Sequence, residues 1–393
     1  MVKIKLKAGW FLIRKIFKYL LLAKLSFHKP VINEVLIVRG DGRNSQVFHD
    51  YLDWNYVGLL HQLDVEINVY ILALSLLHRQ NYYQEYIDYV KPKLLLTFID
   101  NSTTFLKLKV KPGSVKVSVQ NGYRSAVMDL YDNLPKVQHL NLSLDYAFCM
   151  NHSVAQELSK YVKCKTIAIG SFISNKIEIS SKKNNNMAYI SQFRWQVCQP
   201  ETKITNSLNW GEYIKYEKEF LRWLFKYVEK AGACLDVLGC YIDLELQQLE
   251  ETFFNELADG RNFNFVRKDE NRLTYKLIDE ASSVVAIDST LGYEALSRGA
   301  KVAMFVGIRG KKDQLSTRRF GWPGSISEKG IFWTNSTDHR DWEKVIKYVT
   351  EVTLDKWHID CDSFIQQVIE RDFGNKKFLS LMQNIKVPLV VER

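Results

Sequence analysis

Residues Ser282–Phe305 read SSVVAIDSTLGYEALSRGAKVAMF. An unbroken apolar run, Val284–Ile287, meets the polar turn Asp288-Ser289-Thr290. A helical pattern follows from about Leu291, Gly299 closes it, and a second apolar run begins at Val302. A short apolar run without polar alternation fits a strand covered on both faces. Serine or threonine before the helix supplies its cap, and glycine after it allows the left-handed closing residue. The stretch is therefore a strand–helix–strand unit of a parallel sheet. Ligands of such sheets sit at the carboxyl ends of the strands. Asp288, Ser289 and Thr290 occupy that edge, where helix N-terminal amides and the helix dipole favour an anion. Gly292 lets a ligand approach the backbone, and Glu294 can accept hydrogen bonds from ribose or sugar hydroxyls. The loop suits the phosphate and sugar of a nucleotide. It also suits an ordinary capped junction, and the residues alone leave the two readings even.

The same alternation extends in both directions. Upstream of Ser282 lie the strand patterns MAYISQFR, CLDVLGC and FNFVRK, separated by helical patterns such as YEKEFLRWLFKYVEKAG. Further upstream lie NEVLIVRGDGRN, KLLLTFID, SVKVSVQNGYRS, LDYAFCMN and KTIAIGSFISN. The segment from about Ser45 to Val90 reads as largely helical. SSKKNNNM, Ser180–Met187, reads as a linker. The expected architecture is α/β and GT-B-like: two doubly wound Rossmann-type domains, 29–180 and 187–340, facing one another across a cleft. A basic segment, 1–28, precedes them and C-terminal helices, 341–393, follow.

With 393 residues the chain is long enough for two cores. Its net charge is +10, from 54 Lys and Arg against 44 Asp and Glu. That balance favours an anionic partner. Among the first 28 residues Lys3, Lys5, Lys7, Arg14, Lys15, Lys18 and Lys24 stand among Trp10, Phe11, Ile16, Phe17 and Leu20–Leu22. No apolar run there reaches the ~20 residues of a spanning helix. The pattern fits a helix lying on an anionic membrane surface, one packed on the domain with solvated lysines, or a processed signal, though no convincing small-residue cleavage site follows it. The expected location is cytoplasmic, peripheral to the inner membrane. The six cysteines are scattered without a Cys-x-x-Cys pair, as in a reducing compartment. The histidines show no metal-ligand spacing, so no metal or other cofactor is expected. No Walker loop, no Gly-x-Ser-x-Gly elbow and no nucleic-acid motif is present.

Polar residues recur at the strand ends. Asp100 closes TFID and is the leading candidate for a catalytic base or nucleophile, with an N-cap as its plain alternative. Asp41, in RGDGRN with Arg39 and Arg43, is the second candidate. Asn101, Gln120, Asn121 and Arg124, with Arg39, offer amides and guanidinium groups to an acceptor sugar. Gln192 and Arg194 end the first strand of the second domain and face a donor. The basic loop GIRGKKDQLSTRRFGWPG brings Arg309, Lys311, Lys312, Arg318 and Arg319 toward a diphosphate or sugar carboxylate, with Trp322 to stack. Asp360-x-Asp362 precedes a helical pattern and reads as a helix cap rather than a metal motif.

DSTLGYEALSRGAKVAMF, with LLLTFIDNSTTFLKL, VSVQNGYRS, IGSFISN, AYISQFR and RRFGWPG…GIFWTN, resembles a family of bacterial surface-carbohydrate biosynthesis proteins, GT-B transferases of lipopolysaccharide and capsule loci. These segments lie in order from about residue 35 to 335. The family is similar at fold level to transferases using CMP-activated nonulosonic acids and Kdo. Many of those carry a His-Pro pair on the nucleotide loop, which is lacking here: His28-Lys29-Pro30 stands elsewhere. The resemblance implies a metal-independent glycosyltransferase. It would take a nucleotide-sugar donor in the second domain and a glycan or lipid-linked acceptor in the first. A sugar-nucleotide epimerase or a glycerophosphotransferase on the same fold, and a non-catalytic assembly subunit, are the alternatives.

Overall fold

A computed structural model describes residues 23–125, 129–205, 208–269, 271–309 and 319–390. Its first sheet has six parallel strands: β1 (Val35–Val38), β2 (Val57–Leu60), β3 (Leu94–Thr97), β4 (Val115–Val119), β5 (Ser143–Cys149) and β6 (Lys163–Ala168), in the order β2-β1-β3-β4-β5-β6. The second has five: β7 (Met187–Ile190), β8 (Leu235–Leu238), β9 (Asn264–Val266), β10 (Ser283–Ala286) and β11 (Val302–Met304), in the order β9-β8-β7-β10-β11. All five are parallel as well.

Both orders reverse direction once, the mark of a doubly wound sheet. The reversal falls between β1 and β3 in the first sheet and between β7 and β10 in the second. β1 shows why both faces are covered. Leu36 and Val38 join one apolar cluster, and Val35 and Ile37 join another on the opposite face. The covering helices of eight or more residues are α1 (Val69–Leu77), α2 (Tyr82–Val90), α3 (Leu130–Val137) and α4 (His152–Ser159) for the first sheet. Those after β7 are α5 (Lys215–Lys230), α6 (Leu244–Ala258), α7 (Asn271–Glu280) and α8 (Thr290–Ser297). α9 (His339–Glu351), α10 (Leu354–Val368) and α11 (Lys376–Asn384) follow β11.

The tail divides its allegiance. Trp342 of α9 and Trp357 of α10 are buried in the core of the second sheet. α11 instead places Phe378, Leu381 and Met382 in the core of the first, with Phe48, Tyr51 and Phe172. The chain crosses beside Gly170, whose neighbour across an antiparallel bridge is Arg371. Asn375 fixes the crossing by donating to the Tyr51 hydroxyl at 2.7 Å and to the Phe172 carbonyl at 2.8 Å.

Between Ser45 and Val90 the structure departs from the helical expectation. β2 lies there, as does a short strand, Glu66–Asn68, paired in parallel with Lys24–Ser26. β2, VGLL, is an edge strand with only Leu60 fully buried, so its run is too short and mixed to stand out. Asp360 and Asp362 also differ from expectation. They lie inside α10, which Thr353 caps, and they bond along the helices to Tyr348, Lys356 and His358. Lys3 to Lys18 of the basic segment, and Lys311, Lys312 and Arg318, lie outside the described residues. No helix among the described residues is long and apolar enough to cross a membrane.

Candidate functional site

A cleft of about 450 Å³ opens where the carboxyl edges of the two sheets meet. From the second sheet it is lined by Ser191–Arg194 after β7, Cys240 after β8, Asp288–Thr290 after β10 and Arg309 after β11. These loops straddle the reversal between β7 and β10, where a doubly wound sheet leaves a crevice. The first sheet contributes Tyr123, Arg124, Ser125 and Asp129 after β4. Trp210, Tyr213 and Glu217, at and before the start of α5, form one wall.

The loop after β10 folds as the sequence implies. Ser289 caps α8 by accepting the Leu291 N–H at 3.3 Å. Gly299 follows the helix with φ +85°. The Gln192 side chain accepts the Asp288 N–H at 2.9 Å, tying the loops after β7 and β10 together across the reversal. Thr290 spends its hydroxyl oxygen on the other sheet, accepting the Tyr123 N–H at 2.9 Å. The Tyr123 ring then stacks on Tyr293, with centroids 3.7 Å apart and planes 3° from parallel.

Two residues of this loop have roles other than those expected. Glu294 is 6% exposed. It accepts a hydrogen bond from Ser171, beyond β6, and another from the Tyr275 hydroxyl at 2.9 Å. It is a strut between the two halves, not a ligand for ribose. Gly292 is needed because helix meets sheet. A Cβ there would stand 2.6 Å from the Ala286 Cβ and 3.1 Å from the Met304 Sδ.

Burial pushes the Glu294 carboxyl above its ordinary range, against the Ser171 and Tyr275 hydrogen bonds and Arg298. A carboxyl raised on folding holds its proton more tightly in the folded state. The stability this supplies is complete below the unfolded value near 4.5 and is lost as pH rises through the folded value. Glu294→Gln keeps one acceptor and one donor, so its urea midpoint should change less than the parent's from pH 4.5 to 8. Glu294→Ala should cost about 1–3 kcal/mol through two stranded hydroxyls. Equal pH slopes in parent and Gln variant would remove Glu294 as the titrating group.

The guanidinium groups divide into held and free. Arg309 is paired with Glu217, Nε to Oε2 at 2.6 Å and Nη2 to Oε1 at 2.8 Å, and donates to the Gln192 carbonyl at 3.1 Å. Burial opposes its charge, but the Glu217 pair outweighs burial and holds the proton more firmly than usual. Arg124 likewise lies in a buried pair. Its Nε donates to Asp100 Oδ2 at 3.0 Å and its Nη2 to Asp100 Oδ1 and to Asn121. Arg194 is exposed at the cleft wall, with one donation to the Phe193 carbonyl at 3.1 Å.

Asp100 is therefore placed as the anchor of Arg124 and not as a free base. Its Oδ1 also accepts the Asn121 N–H at 3.1 Å, and it lines a small separate cavity beside Leu130 and Cys149. Gln120 is buried, donating to the Gly122 carbonyl and accepting the Met150 N–H, each at 2.9 Å. It braces the turn instead of facing the cleft. Asn101 is exposed outside the cleft lining. Arg319 donates to the Gly324 carbonyl at 3.0 Å, and Trp322 packs edge-on against Tyr131 at 4.9 Å.

Arg39 and Asp41 stand apart from the cleft, at the reversal of the first sheet. Arg39, at φ +56°, donates to Gln62 Oε1 at 2.9 Å. Asp41 Oδ1 meets His61 Nδ1 at 2.9 Å and accepts the Gln62 N–H at 3.3 Å. Sequence reading missed His61, together with Tyr123, Trp210 and Glu217 of the cleft. Tyr123 stands inside the quoted NGYR turn; the other three carry no signal beyond being polar or aromatic near a strand end or helix start. No group of His, Cys, Asp and Glu that would hold a metal occurs among the described residues.

Two doubly wound parallel sheets with their binding edges turned to a shared, arginine-bearing cleft make this an α/β protein of GT-B-like design. The chain belongs to the family described as "putative O-antigen biosynthesis protein", whose profile matches residues 117–386. That span carries the loop after β4 and the whole second sheet, but neither Asp41 nor His61. No curated protein matches the sequence. Among solved structures, a wall teichoic acid polymerase variant is similar at 11% identity and TM-score 0.49, covering 98% of this chain and 97% of that one. A UDP-GlcNAc 2-epimerase from Methanocaldococcus jannaschii is similar at 13% and 0.44, covering 89% and 98%. A pneumococcal O-GlcNAc transferase in complex with UDP and GlcNAc is similar at 12% and 0.43. There the overlap covers 78% of this chain and 59% of that protein, so this chain spans little more than half its length.

Proposed function

We propose that this protein is a metal-independent glycosyltransferase of bacterial surface polysaccharide synthesis. It moves a sugar from a nucleotide donor to a glycan or lipid-linked acceptor. The observation that carries the reading is the cleft itself. Its second-sheet wall joins a helix N-terminus at Ser289–Leu291 to the guanidinium groups of Arg194 and Arg309, a setting for a nucleotide phosphate. Preorganised donors of this kind stabilise a leaving phosphate without a metal. Membership of the family described as "putative O-antigen biosynthesis protein" supports the pathway.

Titration calorimetry with CMP and UDP tests the donor side. One of the two should bind, and Arg194→Ala should weaken it by about 1.5–3 kcal/mol, the scale of a hydrogen bond to a charged group. Arg194 is exposed, so the melting temperature should stay within a degree or two. Binding of neither nucleotide would end the donor reading; equal binding by Arg194→Ala would move the phosphate elsewhere.

The reading includes a cytoplasmic, membrane-peripheral position, supported by the basic and aromatic composition of residues 1–28. Deleting residues 1–22 should cut binding to phosphatidylglycerol vesicles at least tenfold, and salt should weaken the parent's binding. Vesicle binding that survives the deletion would remove this part.

A further inference from the structure

We propose that His61, oriented by Asp41, is the base that takes the proton from the acceptor hydroxyl; the inference rests on the transfer reading above. The two residues follow β1 and β2 directly and so stand at the carboxyl edge of the first sheet, beside its reversal. A ligand of a doubly wound sheet is expected there. Asp41 Oδ1 lies 2.9 Å from His61 Nδ1 and takes the Gln62 N–H as well, which sets both the ring's plane and the nitrogen that carries its proton. Nε2 is left as the acceptor, and it has no hydrogen-bond partner among the described residues. The His61 side chain is 24% exposed, open enough for a substrate to reach.

Asp41 has one further property. Its Oδ2 is buried and has no hydrogen-bond partner among the described residues. Both protein donors crowd onto Oδ1. The carboxylate thus meets its protein donors only through the oxygen that faces His61, the arrangement of a carboxylate that orients an imidazole. A plain surface ion pair would leave both carboxylate oxygens to water.

The dyad also stands at a serviceable remove from the donor cleft. β1 and β2 lie two and three strands from β4, whose following loop lines that cleft. At the usual strand spacing this is roughly 10–14 Å along the sheet edge from β4. The proposal requires a nucleotide held at Asp288–Thr290 to direct its sugar along this edge toward the dyad. The acceptor oxygen forms its bond to the anomeric carbon while the bond from that carbon to the phosphate oxygen breaks. The phosphate leaves with that electron pair, and the acceptor proton passes to His61 Nε2. A single displacement of this kind inverts the anomeric configuration.

The test uses the full chain, a panel of UDP- and CMP-sugars with water as acceptor, and released nucleotide as readout. His61→Asn should reduce turnover about 10²-fold or more, while calorimetric affinity for UDP or CMP stays within twofold of the parent. Asp41→Asn should reduce kcat at least tenfold with KM little changed. Long-range ¹⁵N spectra should show the parent imidazole as the Nδ1–H tautomer and should show that preference lost in Asp41→Asn. A mere packing role would leave tautomer and kcat untouched. Turnover by His61→Asn above half the parental rate, an Nε2–H tautomer in the parent, or a retained configuration in the released sugar each overturns the proposal. No turnover of any sugar nucleotide by the parent, together with no binding of UDP or CMP, overturns the transfer reading itself.

Discussion

Arg298→Met should lower the unfolding free energy by about 3–5 kcal/mol, the cost of stranding one member of a buried ion pair. The Arg298 side chain is 0% exposed and that of Asp279 is 1%. Arg298 Nε donates to Asp279 Oδ1 at 2.7 Å and Nη2 to Asp279 Oδ2 at 2.6 Å. The same guanidinium donates to the Ile177 carbonyl at 3.0 Å and the Glu178 carbonyl at 2.8 Å. Methionine fills much of the space but satisfies none of these acceptors. The carbonyls belong to the chain leaving the first sheet, whereas Arg298 ends α8 of the second, so the loss should also loosen one half from the other. Urea unfolding followed by tryptophan fluorescence measures the cost. Arg298→Met with Asp279→Leu should recover part of it, because no charge is then stranded. A loss below about 1 kcal/mol for the single variant would mean that water reaches Asp279 and the pair is not sealed.

Gly170→Ala should be about as costly, roughly 3 kcal/mol or more, for a different reason. Gly170 has φ +77°, a backbone conformation that L side chains disfavour. Its Cβ would stand 1.9 Å from the Glu370 carbonyl oxygen and 2.7 Å from the carbonyl carbon. Both are main-chain atoms, so no side-chain rotation relieves the clash. The crossing strand must move away, and with it the Glu370 N–H donated to the Met150 carbonyl at 2.9 Å. Gly232→Ala separates the two costs. Its φ is +61°, yet nothing lies within 4 Å of the added carbon, so only the cost of an L side chain at positive φ, about 1 kcal/mol, is expected. Equal melting temperatures for the two alanine variants would show that the crossing strand yields freely.

How far these features were legible follows from how local they are. Val35–Val38, Leu94–Thr97 and Ser283–Ala286 were readable because a strand covered on both faces needs an apolar run, and the run is contiguous. The cap at Ser289 and the closing Gly299 were readable for the same reason. β2 was hidden because an edge strand needs less burial. Glu294 was misread because what decides its role, Ser171, lies 123 residues away. Asp100 looked like a free carboxylate until Arg124, 24 residues on, was seen to claim it. His61 was missed because Asp41 is its partner only once β1 and β2 lie side by side. The sheet's edge could be located from sequence; which polar groups there spend themselves on one another could not.

The placement of α11 bears on how the molecule comes into being. The face of the first sheet formed by Val35, Ile37, Leu94 and Leu96 shares its core with Phe378, Leu381 and Met382 of α11. In vectorial synthesis the first half leaves the ribosome long before its last structural element exists. Domains that fold as they emerge bury their apolar surface early. Here Phe48, Tyr51 and Phe172 share their core with a helix that follows the entire second sheet in the chain, so completion of the first half waits on synthesis of the second. The two halves are consequently not interchangeable modules: a chimera that replaces the second half must bring its own helix to fit that face.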